Sequence, residues 1–229
     1  GRDEPLPDGF AMRTIVTPAA TGAVTTSASI TPFSEMAVAA AAKATGGVTA
    51  ANAAQAVSTV SQLLGFDPIK VAATTPAAAS SDDEKKLAVM LTAVAQMASS
   101  GDLGCTGTDN GSKVQCVVEK LGESVKSDSI KLERSGEDNG RDVSAVLGNA
   151  VSTVLAKPEL VGTIPGSLLT TVAANLACTT NCAAAPTGST SAPDALTLAI
   201  TGAKLLFTQL KSDWTALFSR GGASAVATG

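Results

Sequence analysis

Residues 31–69, TPFSEMAVAAAAKATGGVTAANAAQAVSTVSQLLGFDPI, decide the fold class. They read as two helices joined by a tight turn and closed by a Gly-Phe-Asp-Pro stop. Thr31 supplies a cap and Pro32 the first helical residue, where a missing N–H costs nothing. Gly46-Gly47 ends the first helix and Thr49 caps the second. Val57, Val60 and Leu64 then recur on one helical face until Gly65. None of these residues is suited to act as nucleophile, base or metal cage.

Outward from this pair, helix signals continue. Ser81 and Glu84 form a capping box ahead of a stripe of Leu87, Met90, Leu91, Val94 and Met97. The two methionines read as core filler before they read as a plastic binding surface. Ser112 and Gln115 are the expected start of a helix with Val114, Val117, Val118, Leu121 and Val125 on its apolar face. Asn139 is the expected cap of another, carrying Val143, Val146, Leu147, Ala150, Val151 and Val154 and ended by Pro158. A short helix is expected over residues 165–177. Ser191, Pro193 and Asp194 then open the longest, running to about Phe218. Its face holds Leu196, Ala199, Ile200, Ala203, Phe207, Leu210, Trp214 and Leu217. With the lone Trp on it, this helix is expected at the centre of the bundle.

Before residue 31 the pattern changes. Residues 12–17 and 23–30 are β-branched and suggest two short extended segments forming a hairpin. Their residues Met12, Ile15, Val16, Val24 and Ile30 dock on the chain's own helices or pair with a neighbouring copy, because a lone hairpin is marginal in water. The expected fold is mainly α, an irregular bundle of about six to seven helices with a short N-terminal extended β arm. Residues 1–30 are read as linker and arm, 31–220 as the helical domain and 221–229 as a C-terminal linker.

Composition excludes several functions. Apolar residues make up 45% of the 229, yet aromatics only 3%, with no Tyr. Much of the apolar share is Ala, so helices approach closely while each contact buries little area. Sixteen basic against 20 acidic residues give a net charge of −4 without a basic cluster, which argues against nucleic acid. Lys85-Lys86 and residues 126–134 are interleaved with acids and read as solvated surface. Histidine is absent, which removes Ser-His-Asp and Cys-His catalysis and imidazole metal sites. Glu137 and Asp138 are adjacent, whereas glycosidase chemistry needs facing carboxylates from separate elements. Asp102, Asp109 and Asn110 in the Gly-rich stretch 100–111 are hard oxygen donors, but the calcium-loop spacing is missing. No catalytic residue, metal or cofactor is expected.

The four cysteines fall into two local pairs, Cys105/Cys116 and Cys178/Cys182. Two disulfides and an oxidising compartment follow from that spacing; the rival is one zinc held by four thiolates, whose C-x10-C and C-x3-C spacings do not match the usual knuckles. No apolar run has the length of a membrane helix. The opening GRDEPLPDG reads as a linker, so the chain is taken as processed or as a fragment of a longer protein.

Through Ile30-Thr31-Pro32-Phe33-Ser34-Glu35, Ala51-Asn52-Ala53, Leu64-Gly65-Phe66-Asp67 and residues 202–218 (GAKLLFTQLKSDWTALF), the chain resembles a helical domain of large secreted proteins and lipoproteins of Gram-negative, particularly β-proteobacterial, bacteria. That domain typically follows an immunoglobulin-like or carboxypeptidase-regulatory-like β-sandwich. Its usual first motif is V-T-P-L-T-E, from which Phe33 and Ser34 depart. The resemblance implies export and a modular surface protein, and brings no catalytic residues. The expected function is a non-enzymatic extracellular structural or interaction module of a bacterial surface or filament-forming protein. Its partners would be its own copies or flanking domains. The alternative is a carrier for an apolar small ligand in a groove between Ala-rich helices.

Overall fold

The computed structural model describes residues 7–16, 28–133 and 142–178, and the backbone of 198–201. Those residues form seven α-helices, two 3-10 turns and a two-stranded antiparallel sheet.

The first strand, β1 (Arg13–Val16), leads to α1 (Pro32–Lys43) and α2 (Ala50–Leu64). Thr31 and Thr49 cap the two helices as their sequences require. Gly65 closes α2 at φ 73°, a left-handed geometry that satisfies a terminal carbonyl without a Cβ penalty. Next comes α3 (Asp82–Ser100), opened by the Ser81/Glu84 capping box and closed at Gly101, φ 67°. A 3-10 turn (Asp102–Gly104) joins it to α4 (Asn110–Ser124). Then follow α5 (Val143–Leu155), the single turn α6 (Pro158–Val161), a 3-10 turn (Gly166–Leu169) and α7 (Thr170–Ala177). The second strand, β2 (Leu198–Thr201), pairs with β1 in the register Arg13↔Thr201 to Val16↔Leu198.

Helix α1 packs on α2, α4 and β1, while α3 packs on α4 and α5, and α7 joins α5 to α2. The centre of the bundle is α3. From Leu87 to Ala95 every residue is buried, including Thr92, whose hydroxyl donates to the Ala88 carbonyl at 2.8 Å. A helix buried all round needs no amphipathic stripe, and its small residues Ala88, Ala93 and Ala95 admit neighbours closely. Phe33 is fully buried in α1 and meets Phe66 edge to face, with ring centroids 6.2 Å apart.

Several expectations are corrected. Residues 198–201 are strand, not part of a helix over 194–218; the remainder of that expected helix lies outside the described residues. Leu-Thr-Leu-Ala-Ile-Thr (196–201) fits a period of two as well as one of 3.6, and a long-range partner decides between them. The partner of β1 among the described residues is accordingly β2, and residues 23–27 of the expected hairpin partner lie outside the described residues. Of that second segment residues 28–30 are described. Ser29 donates its N–H to the Ile69 carbonyl at 2.9 Å and its hydroxyl to the Val71 carbonyl, fixing it to the turn after α2. Helix α4 starts at Asn110, because the Asp109 carboxylate captures the Ser112 N–H that the sequence assigns to a later cap. Asp142 caps α5, and Asn139 lies outside the described residues. Pro158 opens a new turn, consistent with its tolerance at a first helical position. In the charged segment after α4, Ile130 and Leu132 are buried, which anchors a stretch read as wholly solvated.

Two outcomes check this packing. Met90 is fully buried in α3, and Met90→Ala is expected to cost about 2–5 kcal/mol in urea unfolding, with the slope unchanged. The Glu84 carboxylate accepts from the Ser80 hydroxyl and the Ser80 and Ser81 N–H groups, which hold its pKa down at about 2 against an ordinary 4.5. A depressed carboxylate stabilises the fold above its unfolded pKa and loses that contribution as pH falls through the folded one. The melting-temperature gap between wild type and Glu84→Ala is therefore full at neutral pH and closes as pH drops from 4.5 towards about 2.

Candidate functional site

The head of α1 forms a seat for a strand. Thr31, in extended backbone, accepts from Phe33 N–H at 3.3 Å and Ser34 N–H at 3.2 Å, while Ser34 Oγ accepts the Thr31 N–H at 2.9 Å. The same Ser34 hydroxyl lies 2.9 Å from both the Arg13 and the Thr31 carbonyls, so its single proton serves either of them. One residue on, Glu35 Oε2 accepts the Arg13 backbone N–H at 2.6 Å, and the carboxylate also takes Nε and Nη2 of the Arg13 guanidinium. That hydrogen bonding raises the Arg13 pKa further above its ordinary value. Glu35 sits in the first helical turn, where exposed N–H groups favour negative charge, and its side chain is only 12% exposed.

Two side chains of α1 thus satisfy the backbone N–H and carbonyl of Arg13, as a neighbouring strand would. In an antiparallel ladder successive residues turn their polar groups to opposite edges. One edge of β1 at Arg13 is therefore taken by α1 and the other faces β2. Phe10, Met12 and Ile15 join the main hydrophobic core. The arm residues accordingly separate: Met12 and Ile15 are buried, Val16 is half-buried, and Ile30 is half-buried against the core. Val24 lies outside the described residues. The Thr14 hydroxyl is buried with no hydrogen-bond partner among the described residues.

The other assembled feature is the disulfide between Cys105 and Cys116, whose Cα atoms are 5.6 Å apart. It ties the 3-10 turn after α3 to the middle of α4. Beside it Leu103 is buried at φ 57°, a left-handed conformation that is costly for a residue with a Cβ. Cys178 caps α7 and is also disulfide-bonded; Cys182 lies outside the described residues. Asp109 spends its two oxygens on the Ser112 N–H and hydroxyl, both at 2.7 Å, and these bonds lower its pKa. No group of three or more metal-ligating residues is assembled among the described residues. Met90 and Met97 are fully buried, and Glu137 and Asp138 lie outside the described residues.

No helix among the described residues is long and apolar enough to cross a membrane. Comparison with known proteins gives no match: no family model, no curated sequence and no solved structure is similar to the chain.

Sequence reasoning identified the arm but missed Glu35 and Ser34 as its holders. The signal available was a carboxylate in the first turn of a helix whose cap was already filled. Replacing Glu35 by Ala leaves the Arg13 N–H without its acceptor, and is expected to cost about 1–3 kcal/mol. In hydrogen exchange, the amides of β1 should lose protection by a larger factor than those of α3; equal loss across both would contradict the clamp.

Proposed function

We propose that the chain is a non-enzymatic extracellular module, serving structure or interaction in a bacterial surface protein or assembly. One observation carries the reading: its well-placed carboxylates serve as structural ties. Glu35 clamps β1, while Glu84, Asp109 and Asp142 each hold the N-terminus of a helix. A carboxylate tied to backbone N–H groups has lone pairs committed to the fold, and the hydrogen bonds to Glu84 and Asp109 also lower their pKa values, so these groups are poorly suited to general acid–base work. With no histidine in the sequence, no second kind of side chain titrates near neutrality for that purpose.

The Cys105–Cys116 disulfide suits an oxidising compartment and supports export to the periplasm, the cell surface or the medium. The resemblance to helical domains of secreted Gram-negative proteins points the same way. In this reading the helical body is a rigid spacer or docking unit, and its partners are proteins: flanking domains or further copies of itself.

A broad screen of esters, peptides and glycosides tests the claim, with no turnover expected above the buffer rate. Reproducible turnover that follows the protein through purification would overturn it. Independently, alkylation and mass measurement of the chain from its native cells should find Cys105 and Cys116 protected until reductant is added. Free thiols there would contradict the compartment.

A further inference from the structure

We infer that the Cys105–Cys116 bridge is a redox-operated latch on the connection between α3 and α4, closed in the oxidised chain and released by a dithiol. The inference goes beyond the module reading, which uses the bridge only as a mark of compartment. Within four residues of that connection, Gly101, Leu103 and Gly104 take φ of 67°, 57° and 76°. The glycines adopt this region freely. Leu103 does not, and it is the sole non-glycine residue there among the described residues. A strained residue keeps such a conformation only where its surroundings over-determine it. Two constraints hold Leu103: its side chain is buried in the main core, and two residues on Cys105 is bonded to the middle of α4. Gly107 then passes so close to the first turn of α4 that a Cβ there would stand 2.9 Å from that of Ser112. The connection is thus folded back on the helix it leads into, with the bridge as its covalent tie.

The body of the bundle does not depend on that tie. Helix α3 packs on both α4 and α5, with Leu87, Met90, Val117, Leu121 and Leu147 fully buried in the shared core. A bridge between residues 11 apart constrains little of the unfolded chain, so its loss is felt locally first. The two cysteines differ in access: Cys105 is 1% exposed, whereas Cys116 is half-buried. A dithiol therefore enters at Cys116. Its thiolate bonds to the Cys116 sulfur, the bond to Cys105 breaks, and the Cys105 thiolate takes a proton. The second thiol of the reductant then displaces the Cys116 thiolate, which is protonated in turn. The reductant leaves as its own disulfide, and each cysteine has gained one electron and one proton. With the tie gone, Leu103 is held by burial alone, and it relaxes out of the left-handed region and out of the core.

Exposure of Leu103 supplies the test. The full-length chain is digested briefly with subtilisin, a protease without disulfides, before and after dithiothreitol treatment in native buffer. Alkylation and peptide mapping show which bridge has opened. The oxidised chain is expected to resist cutting at the Leu103–Gly104 bond. After reduction that bond should be cut at least about tenfold faster, because proteolysis follows the population of the opened segment. Bonds within α3 and α5 should stay resistant, and reoxidation should restore resistance at Leu103. A bridge that dithiothreitol opens only once urea has unfolded the chain would overturn the latch. So would a reduced chain as resistant at Leu103 as the oxidised one. A reduced chain cut throughout α3 and α5 would overturn it as well, since the bridge would then staple the whole fold. The variant C105A/C116A separates this bridge from the one that engages Cys178. Without reductant it should already be cut at Leu103 and keep the wild-type helical circular dichroism. Resistance at Leu103 in that variant, or loss of its helical signal, would equally overturn the inference. The module reading stands through all of these results, since it fails on turnover.

Discussion

A single carboxylate, Glu35, joins the arm of this protein to its body. It stands in the first turn of α1, where unpaired N–H groups favour an anion, and it gathers the backbone and the guanidinium of Arg13. Without it a strand of four residues would meet a helix end with its own N–H unsatisfied. With it, Met12 and Ile15 are held in the core and β1 becomes a fixed edge that another strand can complete. The cost of fixing Arg13 is lowered because one acceptor serves several donors of the same residue. Thr31 and Ser34 complete the arrangement by satisfying the helix end without using Glu35, which leaves that side chain free for the arm.

The body follows the same economy of small side chains and satisfied ends. Alanines in α1 and α3 let helices approach closely, and the few large residues, Phe33, Leu121 and the methionines, fill what remains. Close approach brings helix ends near one another, and the chain uses this. Lys43, in the last turn of α1, donates from Nζ to the Gly122 and Glu123 carbonyls at 2.6 and 2.5 Å, closing the end of α4. Burial lowers its pKa, and nearby Glu123 and Glu133 partly offset that effect. Asn175 of α7 reaches the carbonyls of Gln62 and Leu63 near the end of α2 in the same manner. Helix termini are thus satisfied across elements as well as within them.

What was legible in the sequence was local. Thr31-Pro32, Thr49, Ser81 with Glu84 and the glycines after Leu64 and Ser100 mark helix ends through interactions a few residues long, and the structure keeps them. The Cys105–Cys116 bridge was legible for the same reason. Where two local readings compete, the sequence gives no arbiter: Asp109 and Ser112 are both capping residues, and the earlier one wins by reaching the later one's N–H. Long-range choices were not legible. Leu198–Thr201 is as apolar as a helix stripe, and the edge of β1, 184 residues away between the partners Ile15 and Ala199, makes it a strand. The placing of Leu132 within a charged run likewise depends on α5, whose Ser144 hydroxyl bonds the backbone of Leu132 at 3.2 Å. Glu35 belongs to this second group, since its partner is 22 residues away and carries no motif.

The most direct test of the account is a double-mutant cycle on Arg13→Ala and Glu35→Ala, followed by equilibrium urea unfolding of the full chain. A clamp that fixes the arm to the body predicts a coupling of at least about 1 kcal/mol between the two side chains. Losses that simply add, to within about 0.5 kcal/mol, would contradict it.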